Sequence, residues 1–424
     1  MGIKKISLSI VTALTMMALT TQAFAVGSGA YANQVPSARA ISRGNAMVAS
    51  VDDATAVTFN AAKLPDVPAS NLSVGFTLQD IKTKFKSADG VTKAETDNDL
   101  AVTPNFHISS KFGLEKWGFG LGINVPEGLA TKWKSDGPLR YIATESELVT
   151  YNINPSAGYK INDNLSVGAG IDYYLLSNVE TKQKLPGDTP ADPDAEMKLD
   201  GNGSHLGYDV GVAYNINKQH LFGISYRHGA AVNAKGNLKF TNLTGSAAAA
   251  VGGSSFQTSA QTKVIIPAQL MLGYAYKPVE KWVIEFDGEW DRWSKYQEQN
   301  VKFGDGSALV MEKNWRDVWS FALGTEYLLN AKWALRGGFS RFNTPVPESS
   351  FEAGLPDANV NALDLGVGYN ILEDLSLDVG AQLFETEERS ISNDVGSVLG
   401  GNGKYKSTGG YYGFNLRYTF GKKA

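Results

Sequence analysis

Apolar and polar residues alternate through most of this chain, in short segments separated by polar turns. The alternation is clearest at the C-terminus, where Tyr412, Phe414, Leu416, Tyr418 and Phe420 interleave with Gly413, Asn415, Arg417 and Thr419. After residue 25 no apolar run reaches the roughly 20 residues that a membrane helix needs. A period of two with one apolar face therefore predicts a membrane β-barrel, with one strand face toward lipid and the other toward a wet lumen.

Turn signals divide the alternating region into about fourteen strands, an even number as bacterial barrels require. The predicted spans are 70–85, 100–113, 116–127, 145–160, 164–180, 203–216, 219–241, 257–277, 280–302, 308–329, 332–343, 357–370, 373–388 and 406–420. Short turns alternate with long polar loops, and in such barrels the short turns face the periplasm. The predicted fold class is an all-β, transmembrane antiparallel barrel that occupies residues 70–424.

The N-terminal residues follow two other patterns. Residues 1–25 carry Lys4 and Lys5, an apolar run and then Ala23-Phe24-Ala25, which is the layout of a signal peptide cleaved after Ala25. Residues 26–69 are rich in small side chains and lack strand alternation. Since a barrel of about fourteen strands encloses more space than its wall side chains fill, we expect residues 26–69 to form a hatch inside it.

The composition of the chain excludes several kinds of functional site. The chain has no cysteine, so disulfides, thiolate metal sites and cysteine nucleophiles are excluded. Its four histidines are scattered without metal-ligand spacing, and its net charge of −4 does not favour nucleic acid. We predict no metal, no cofactor and no nucleic-acid partner.

In the segment 280–302 the apolar residues Trp282, Ile284, Phe286 and Trp290 alternate with Glu285, Asp287, Glu289 and Asp291. Carboxylates on a lipid face are costly, so these four are expected to face the lumen. They form either a salt-bridged wall or a gate, that is, a repulsive element on the ligand's path. Trp117, Trp282 and Trp333 adjoin predicted periplasmic turns, where an aromatic girdle belongs.

Ser42 to Leu64 resembles the N-terminal hatch of the FadL family of outer-membrane transporters for long-chain fatty acids and related hydrophobic compounds. The residues that carry the hatch motif are Gly44, Asn45, Ala46, Asn60, Ala61 and Ala62. Here Ala61 stands where the family usually has proline. Further segments that resemble the family follow in order at 120–129, 140–143, 154–160, 315–319, 335–339, 344–347 and 355–357.

The resemblance implies a fourteen-stranded barrel with a hatch, located in the outer membrane of a Gram-negative bacterium. It also implies capture of ligand at the outer loops, a site beside the hatch and exit sideways through a kinked strand. Strand 116–127 is the candidate kinked strand, because Gly118, Gly120, Gly122 and Pro126 weaken a strand ladder. The alternative is that these residues only produce barrel curvature.

A fatty acid needs an apolar tunnel and a cation for its carboxylate. Arg316 matches a position where the family has a basic residue near the head group, and arginine suits a carboxylate; the alternative is a lumenal salt bridge, such as one to Asp317. Ser177 falls near the family's other basic position and is neutral, which favours an uncharged ligand. Other candidate ligand-binding residues are Tyr31, Val35 and Phe59 in the hatch and Phe256 in an outer loop.

Transport of fatty acids by passive diffusion is the predicted function, and uptake of neutral aromatic hydrocarbons or a general porin are the alternatives. Asn105, His107 and Ser109 resemble the residues of a barrel phospholipase, but they face the lumen in the predicted register, so we predict no enzyme. The expected partners are a hydrophobic ligand, outer-membrane lipid and the barrel assembly machinery, whose recognition signal the strand ending in Phe420 resembles. We expect a monomer, whose long loops could also serve as an adhesin or phage receptor.

Overall fold

The computed structural model describes residues 30–33, 35–97 and 99–421. The described residues form one sheet of 21 strands. These strands are β1 (Ser70–Ser87), β2 (Lys93–Glu95), β3 (Ala101–Ser110), β4 (Trp117–Asn124), β5 (Gly128–Lys132), β6 (Glu145–Lys160), β7 (Leu165–Leu185), β8 (Ala195–Asn215), β9 (His220–Arg227), β10 (Ala230–Thr241), β11 (Phe256–Ile266), β12 (Gln269–Val279), β13 (Trp282–Asp291), β14 (Glu298–Phe303), β15 (Ala308–Glu312), β16 (Val318–Leu328), β17 (Trp333–Phe342), β18 (Val360–Asn370), β19 (Leu375–Thr386), β20 (Arg389–Ile391) and β21 (Gly403–Phe420). The predicted signal peptide lies outside the described residues.

The sheet closes into an antiparallel barrel, since β1 pairs with β3 on one side and with β21 on the other. In the described residues the wall has fourteen strands, as predicted. Five of them are interrupted and consist of β4/β5, β9/β10, β11/β12, β13/β14 and β15/β16, whereas β2 and β20 are short additions. The sequence predicted continuous strands at the last four of these positions, but Gly229, Pro267 and a 3-10 helix at Trp293–Lys295 fall at three of the breaks.

The alternation of side chains agrees with the predicted faces. On β21 Tyr412, Leu416 and Tyr418 are exposed on the outside, while Asn415 is buried inside. Trp117, Trp282 and Trp333 are each about 40% exposed beside the short turns. The outer surface therefore carries an apolar band edged by aromatic rings, as a bilayer requires.

Residues 35–69, here called the N-terminal segment, lie inside the barrel. The segment contains helices α1 (Ala38–Ile41) and α2 (Ala56–Phe59) and a 3-10 helix, Ala61–Asp66. Asn60 joins the segment to the wall: its side-chain oxygen accepts from Ala62 N, and its Nδ2 donates to the carbonyls of Val48 and Val212. The segment is almost entirely buried, which explains its small side chains.

Glycines on the inner face of the wall allow the segment to approach closely. A Cβ added at Gly168 would lie 2.3 Å from the carbonyl carbon of Ala61. The other wall glycines whose nearest neighbour is the segment are Gly118, Gly120, Gly122, Gly158, Gly211, Gly223, Gly324, Gly338, Gly366, Gly380 and Gly413. Strand pairing places Gly118, Gly158, Gly168 and Gly211 in one row across four neighbouring strands, and Gly366, Gly380 and Gly413 in another. These two sets are called the glycine rows.

The helices outside the segment are short. Helices α3 (Gly245–Val251) and α4 (Asp394–Leu399) and a 3-10 helix at Glu348–Ser350 lie in the long loops. Among the described residues, no helix is both long and apolar enough to span a membrane.

Candidate functional site

The wall is open beside its third strand. β4 pairs with both β3 and β6, but β5 pairs with β6 alone in the described residues. Residues 101–105 of β3 therefore have no strand partner on that side. At the outer end Asp97 N donates to Lys132 O over 2.8 Å and closes the opening. The opening between residues 101–105 and 125–132 is called the wall gap.

The break in this strand lies at Val125–Glu127 and not at the glycines. Gly118, Gly120 and Gly122 sit in the regular part of β4, where they make room for Leu64 and Val57 of the segment. Their predicted role as ladder-weakening positions is thus corrected, because close packing accounts for them. Pro126, which has no N–H to donate, does lie within the break.

Residues 31–33 lie across the inner mouth of the gap. Asn33 N donates to Pro126 O over 2.7 Å, Asn33 Nδ2 donates to Val125 O over 2.9 Å, and Gly128 N donates to Tyr31 O over 2.8 Å. Ala32 and Glu127 form an antiparallel bridge. These contacts satisfy backbone groups that the interrupted strand leaves without ladder partners.

A mostly apolar hollow, with about 890 Å³ of empty space that includes open solvent, adjoins the gap. It is called the inner cavity, and its lining includes Ala32, Asn33, Gly44, Asn45, Val48, Phe59, Val125, Pro126, Arg227, Met271, Asp287 and Phe342. Among the residues that the sequence predicted for the ligand site, the hatch motif and the kinked strand, the structure brings four together around the inner cavity: Phe59, Gly44, Asn45 and Pro126. Sequence reasoning missed Arg227.

Arg227 supplies a cation to the lining of the inner cavity. Its side chain is only 8% exposed, and its Nη1 binds Asp172, while its Nη2 donates to Thr58 O over 3.2 Å. Asp172 also accepts from Asn152 Nδ2 over 2.7 Å. The guanidinium is thereby held against the wall with its charge already paired, so it can contribute hydrogen bonds at the cavity without adding an isolated buried charge.

The four carboxylates of β13 lie on its inward-facing side, as predicted, and two of them, Glu285 and Asp287, hold the N-terminal segment. Glu285 accepts from Ala49 N over 2.6 Å and pairs with Arg43 over 3.1 Å. Asp287 Oδ2 accepts from the backbone N–H groups of Met47 and Val48 over 2.8 and 3.0 Å. Of the two alternatives, these contacts favour the paired wall at Glu285 and Asp287.

Arg39 is the main ionic anchor of the segment. Its side chain is 6% exposed and binds Glu326 through two nitrogens, at 2.9 and 2.7 Å, and Asp53 at 2.8 Å. Burial by itself would raise the pKa of Asp53, but the charges of Arg39 and Arg417 hold that pKa well below its ordinary value. Asp53 therefore stays ionised as the pH falls through the pKa that it has in the unfolded chain. Its contribution to the stability of the folded protein is lost only as the pH falls through its lower pKa in the folded state.

The structure corrects the predicted position of Arg316. Its side chain is exposed, Trp315 before it points inward, and Arg316 is not among the residues that line the inner cavity. Residues 313–317 connect β15 to β16 and lack regular alternation. The sequence pattern therefore could not show which side chains of this connection point inward. The lumenal salt bridge to Asp317 is likewise not among the ion pairs of the described residues.

Tyr31 and Val35 are packed into clusters, whereas Phe256 is 41% exposed. The Tyr31 hydroxyl donates to Ile265 O, and its ring meets Trp293 edge-on at 5.0 Å. Ala46, Ala61 and Ala62 are buried contacts of the segment. Val35 packs among residues of β1, β17, β18, β19 and β21. None of these residues lines the inner cavity.

Asn105, His107 and Ser109 are buried inside the barrel, in agreement with the predicted register. His107 Nε2 lies 3.0 Å from Thr58 Oγ1 of the segment, so this histidine contacts the interior packing and not lipid. No group of His, Asp and Glu suited to a metal occurs among the described residues.

A second hollow, with about 1730 Å³ of empty space that includes open solvent, lies in the outer half of the barrel. This outer cavity is lined by Met197, Leu199, Leu238, Phe240, Val301, Phe303 and Met311, with Lys182 and Glu352 at polar positions. Met197 and Leu199 were predicted in a loop but lie on β8, which begins at Ala195. An aromatic cluster that includes Tyr31, Trp293, Tyr296 and Trp315 belongs to a separate buried cluster, which shares Ala143 and Ala234 with the lining of the outer cavity.

A closed antiparallel barrel with an outer apolar band and a packed interior is the architecture of an outer-membrane β-barrel protein. The family model described as outer membrane protein transport protein (OMPP1/FadL/TodX) matches residues 16–420. The chain belongs to this family, whose members are transport proteins and not enzymes.

Relatives and solved structures agree with this assignment. The "Long-chain fatty acid transport protein" of Escherichia coli K12 is 24% identical over 407 residues, which cover 87% of this chain and 89% of the relative. "Outer membrane protein P1" of Haemophilus influenzae is 23% identical over 76% of this chain and 75% of its own. The crystal structures of a Pseudomonas aeruginosa FadL homologue and of the Ralstonia pickettii toluene transporter TbuX, each 20% identical over 93% of this chain, cover 100% and 99% of their own chains and superpose with TM-scores of 0.82 and 0.71.

Proposed function

We propose that this chain carries long-chain fatty acids across the outer membrane by passive diffusion and releases them sideways into the bilayer through the wall gap. The observation that carries the proposal is the inner cavity, which adjoins a place where β5 has no partner on the β3 side. An apolar ligand gains free energy by moving along apolar surface into lipid, whereas a wet central channel would oppose it.

The proposed path has three stages. Ligand enters the outer cavity, passes the aromatic cluster and reaches the inner cavity beside the N-terminal segment, which acts as the hatch. Residues 31–33 then shift from the inner mouth of the gap, because their hydrogen bonds to Val125, Pro126 and Gly128 close it. Only a few hydrogen bonds hold them there, so a ligand that fills the cavity can offset the cost of the shift.

Arg227 favours a ligand with a carboxylate. Arg227 is the one lysine or arginine among the described residues that line the inner cavity, and the exposed lining of that cavity is mostly apolar, which suits an acyl chain. The relatives named as long-chain fatty acid transport proteins support the same class. The second candidate is a neutral aromatic hydrocarbon, because the charge of Arg227 is already paired with Asp172 and toluene transporters share the fold.

Uptake of labelled oleate and labelled toluene, in a host that lacks its own fatty-acid channel, separates the two candidates. We expect saturable oleate uptake that depends on this chain. Uptake of toluene alone would replace the first candidate with the second, and uptake of neither, with leakage of small polar solutes instead, would point to a general porin.

Replacing Arg227 with Gln tests the head-group contact. We expect oleate uptake at low concentration to fall by about tenfold, since a hydrogen bond to a charged group contributes about 1.5–3 kcal/mol, while toluene entry changes little. The double variant Arg227→Gln/Asp172→Asn is the matched control, because it removes the cation without leaving a buried carboxylate unpaired. Equal losses for oleate and toluene in both variants would assign Arg227 a structural role.

A further inference from the structure

The outer surface of the barrel has a concave shelf where three neighbouring wall strands are interrupted at one level. The breaks fall between β9 and β10, between β11 and β12, and between β13 and β14. Arg292 N donates to Ala268 O over 2.8 Å, which holds two of these breaks side by side. The hollow has a volume of about 1560 Å³ that includes open solvent, and it is called the basic shelf.

Cations dominate the basic shelf. Its lining contains Lys263, Arg292, Lys295 and Lys302, with His205 and His228, whereas Glu298 is the single carboxylate among the described residues that line it. No ion pair involves any of those four cations in the part of the chain that the structure describes. This differs from the lysines on the other side of the barrel, such as Lys404 and Lys406, which pair with Glu388 and Glu385.

Strand pairing concentrates these charges. Gln261 on β11 pairs with Lys302 on β14, and Lys263 is the next residue on the same outward face of β11. Lys263 and Lys302 are therefore diagonal neighbours, whose backbones lie about 7–8 Å apart in an antiparallel sheet. Like charges at this spacing repel each other, so an anion between them would relieve an unfavourable arrangement.

The position of the shelf identifies the kind of anion. Directly below it the outward side chains are apolar and aromatic: Tyr208 stacks on His228 with ring centroids 4.8 Å apart, and Ile224 and Leu272 are exposed. These residues belong to the band that meets lipid tails, and the cations begin where the band ends. That is the depth of lipid head groups, where aromatic rings and basic side chains meet the interface.

We propose that the basic shelf binds the phosphate groups of a phosphorylated outer-leaflet lipid, whose acyl chains lie against the aromatic floor below. Lysine and arginine form charge-assisted hydrogen bonds with phosphate oxygens, and arginine can do so with two nitrogens at once. The shelf faces outward on β10, β11 and β14, whereas the inner faces of these strands line the outer cavity. The shelf and the outer cavity meet at Gln261 and Thr262 of β11, which line both, so the proposed lipid site lies against the outside of the proposed transport path.

The test is native mass spectrometry of the full chain in detergent with bisphosphorylated lipid A as the probe. We expect the variant Lys263→Gln/Arg292→Gln/Lys295→Gln/Lys302→Gln to retain at least tenfold less lipid A than wild type. The matched control, Lys116→Gln/Lys218→Gln/Lys281→Gln/Lys332→Gln, removes the same charge from exposed residues at the opposite end of the barrel and should bind like wild type. Heat-modifiable electrophoresis checks that each barrel is folded.

Two further arms separate the sources of binding. Dephosphorylated lipid A should bind wild type no better than it binds the shelf variant, and inorganic phosphate at equal concentration should not displace the intact lipid. If the fourfold variant does not fold, the pairs Lys263→Gln/Lys302→Gln and Arg292→Gln/Lys295→Gln replace it. Equal lipid A retention by the folded shelf and control variants, or displacement by phosphate alone, would overturn the proposal.

Discussion

Oxidation of an Ala32→Cys/Glu127→Cys variant is expected to abolish ligand uptake, and reduction is expected to restore it. These residues form an antiparallel bridge flanked by the bonds from Asn33 N to Pro126 O and from Gly128 N to Tyr31 O. That arrangement is a non-hydrogen-bonded pair, whose Cα atoms lie about 4.5 Å apart and accept a disulfide. The bond would fix residues 31–33 across the wall gap.

The chain contains no cysteine, so this disulfide would have no competitor. Uptake of labelled oleate in cells, before and after a reductant, measures the effect. The single variants Ala32→Cys and Glu127→Cys control for the lost side chains, in particular for the buried carboxyl of Glu127. Undiminished uptake in fully crosslinked protein would show that the ligand does not leave by displacing residues 31–33.

Replacing Arg39 with Ala is expected to release the N-terminal segment from the wall. Arg39 binds Glu326, Asp52 and Asp53, and Glu326 and Asp53 would be left buried without this partner. Breaking a buried ion pair costs about 3–5 kcal/mol, and the lower end applies here because Glu326 keeps Arg336 and Asp53 keeps Arg417. Since about 1.4 kcal/mol is a factor of ten, amide hydrogen exchange within residues 38–66 should accelerate about a hundredfold or more.

Arg341→Ala is the matched control for Arg39→Ala. Arg341 pairs with Glu387 near the outer end of the barrel, where the side chains are 31% and 47% exposed. Such a pair contributes about 0–1 kcal/mol, so exchange in the segment should stay close to that of wild type. Equal acceleration in the two variants would mean that Arg39 is not a specific anchor of the segment.

The alternation of side chains predicted the barrel because a period of two survives in almost every wall strand. Trp282, Phe286, Glu285 and Asp287 fall on the expected faces, since strand geometry alone decides this. The interruptions were harder to predict. Pro126 marks one break in the sequence, but the gap beside it depends on β5 having no partner toward β3, which is a property of pairing between distant segments.

The sequence identified residues of the candidate site only where they belong to a local motif. Phe59, Gly44 and Asn45 belong to a recognisable motif and do line the inner cavity. Arg227 was missed because its partner Asp172 lies 55 residues away and meets it only through the register of the barrel. Arg316 was misplaced because the inward and outward faces cannot be followed through an irregular connection.

The glycine rows have a consequence for how this molecule can change in evolution. Their shape follows the backbone path of the N-terminal segment, since main-chain atoms of Ala38, Ala61 and Leu64 come closest to most of these glycines. A side chain of the segment that points away from the rows can be exchanged without disturbing the wall. A change in the course of the segment's backbone, in contrast, would require substitutions on several strands at once, so the shape of the segment should persist longer than its sequence.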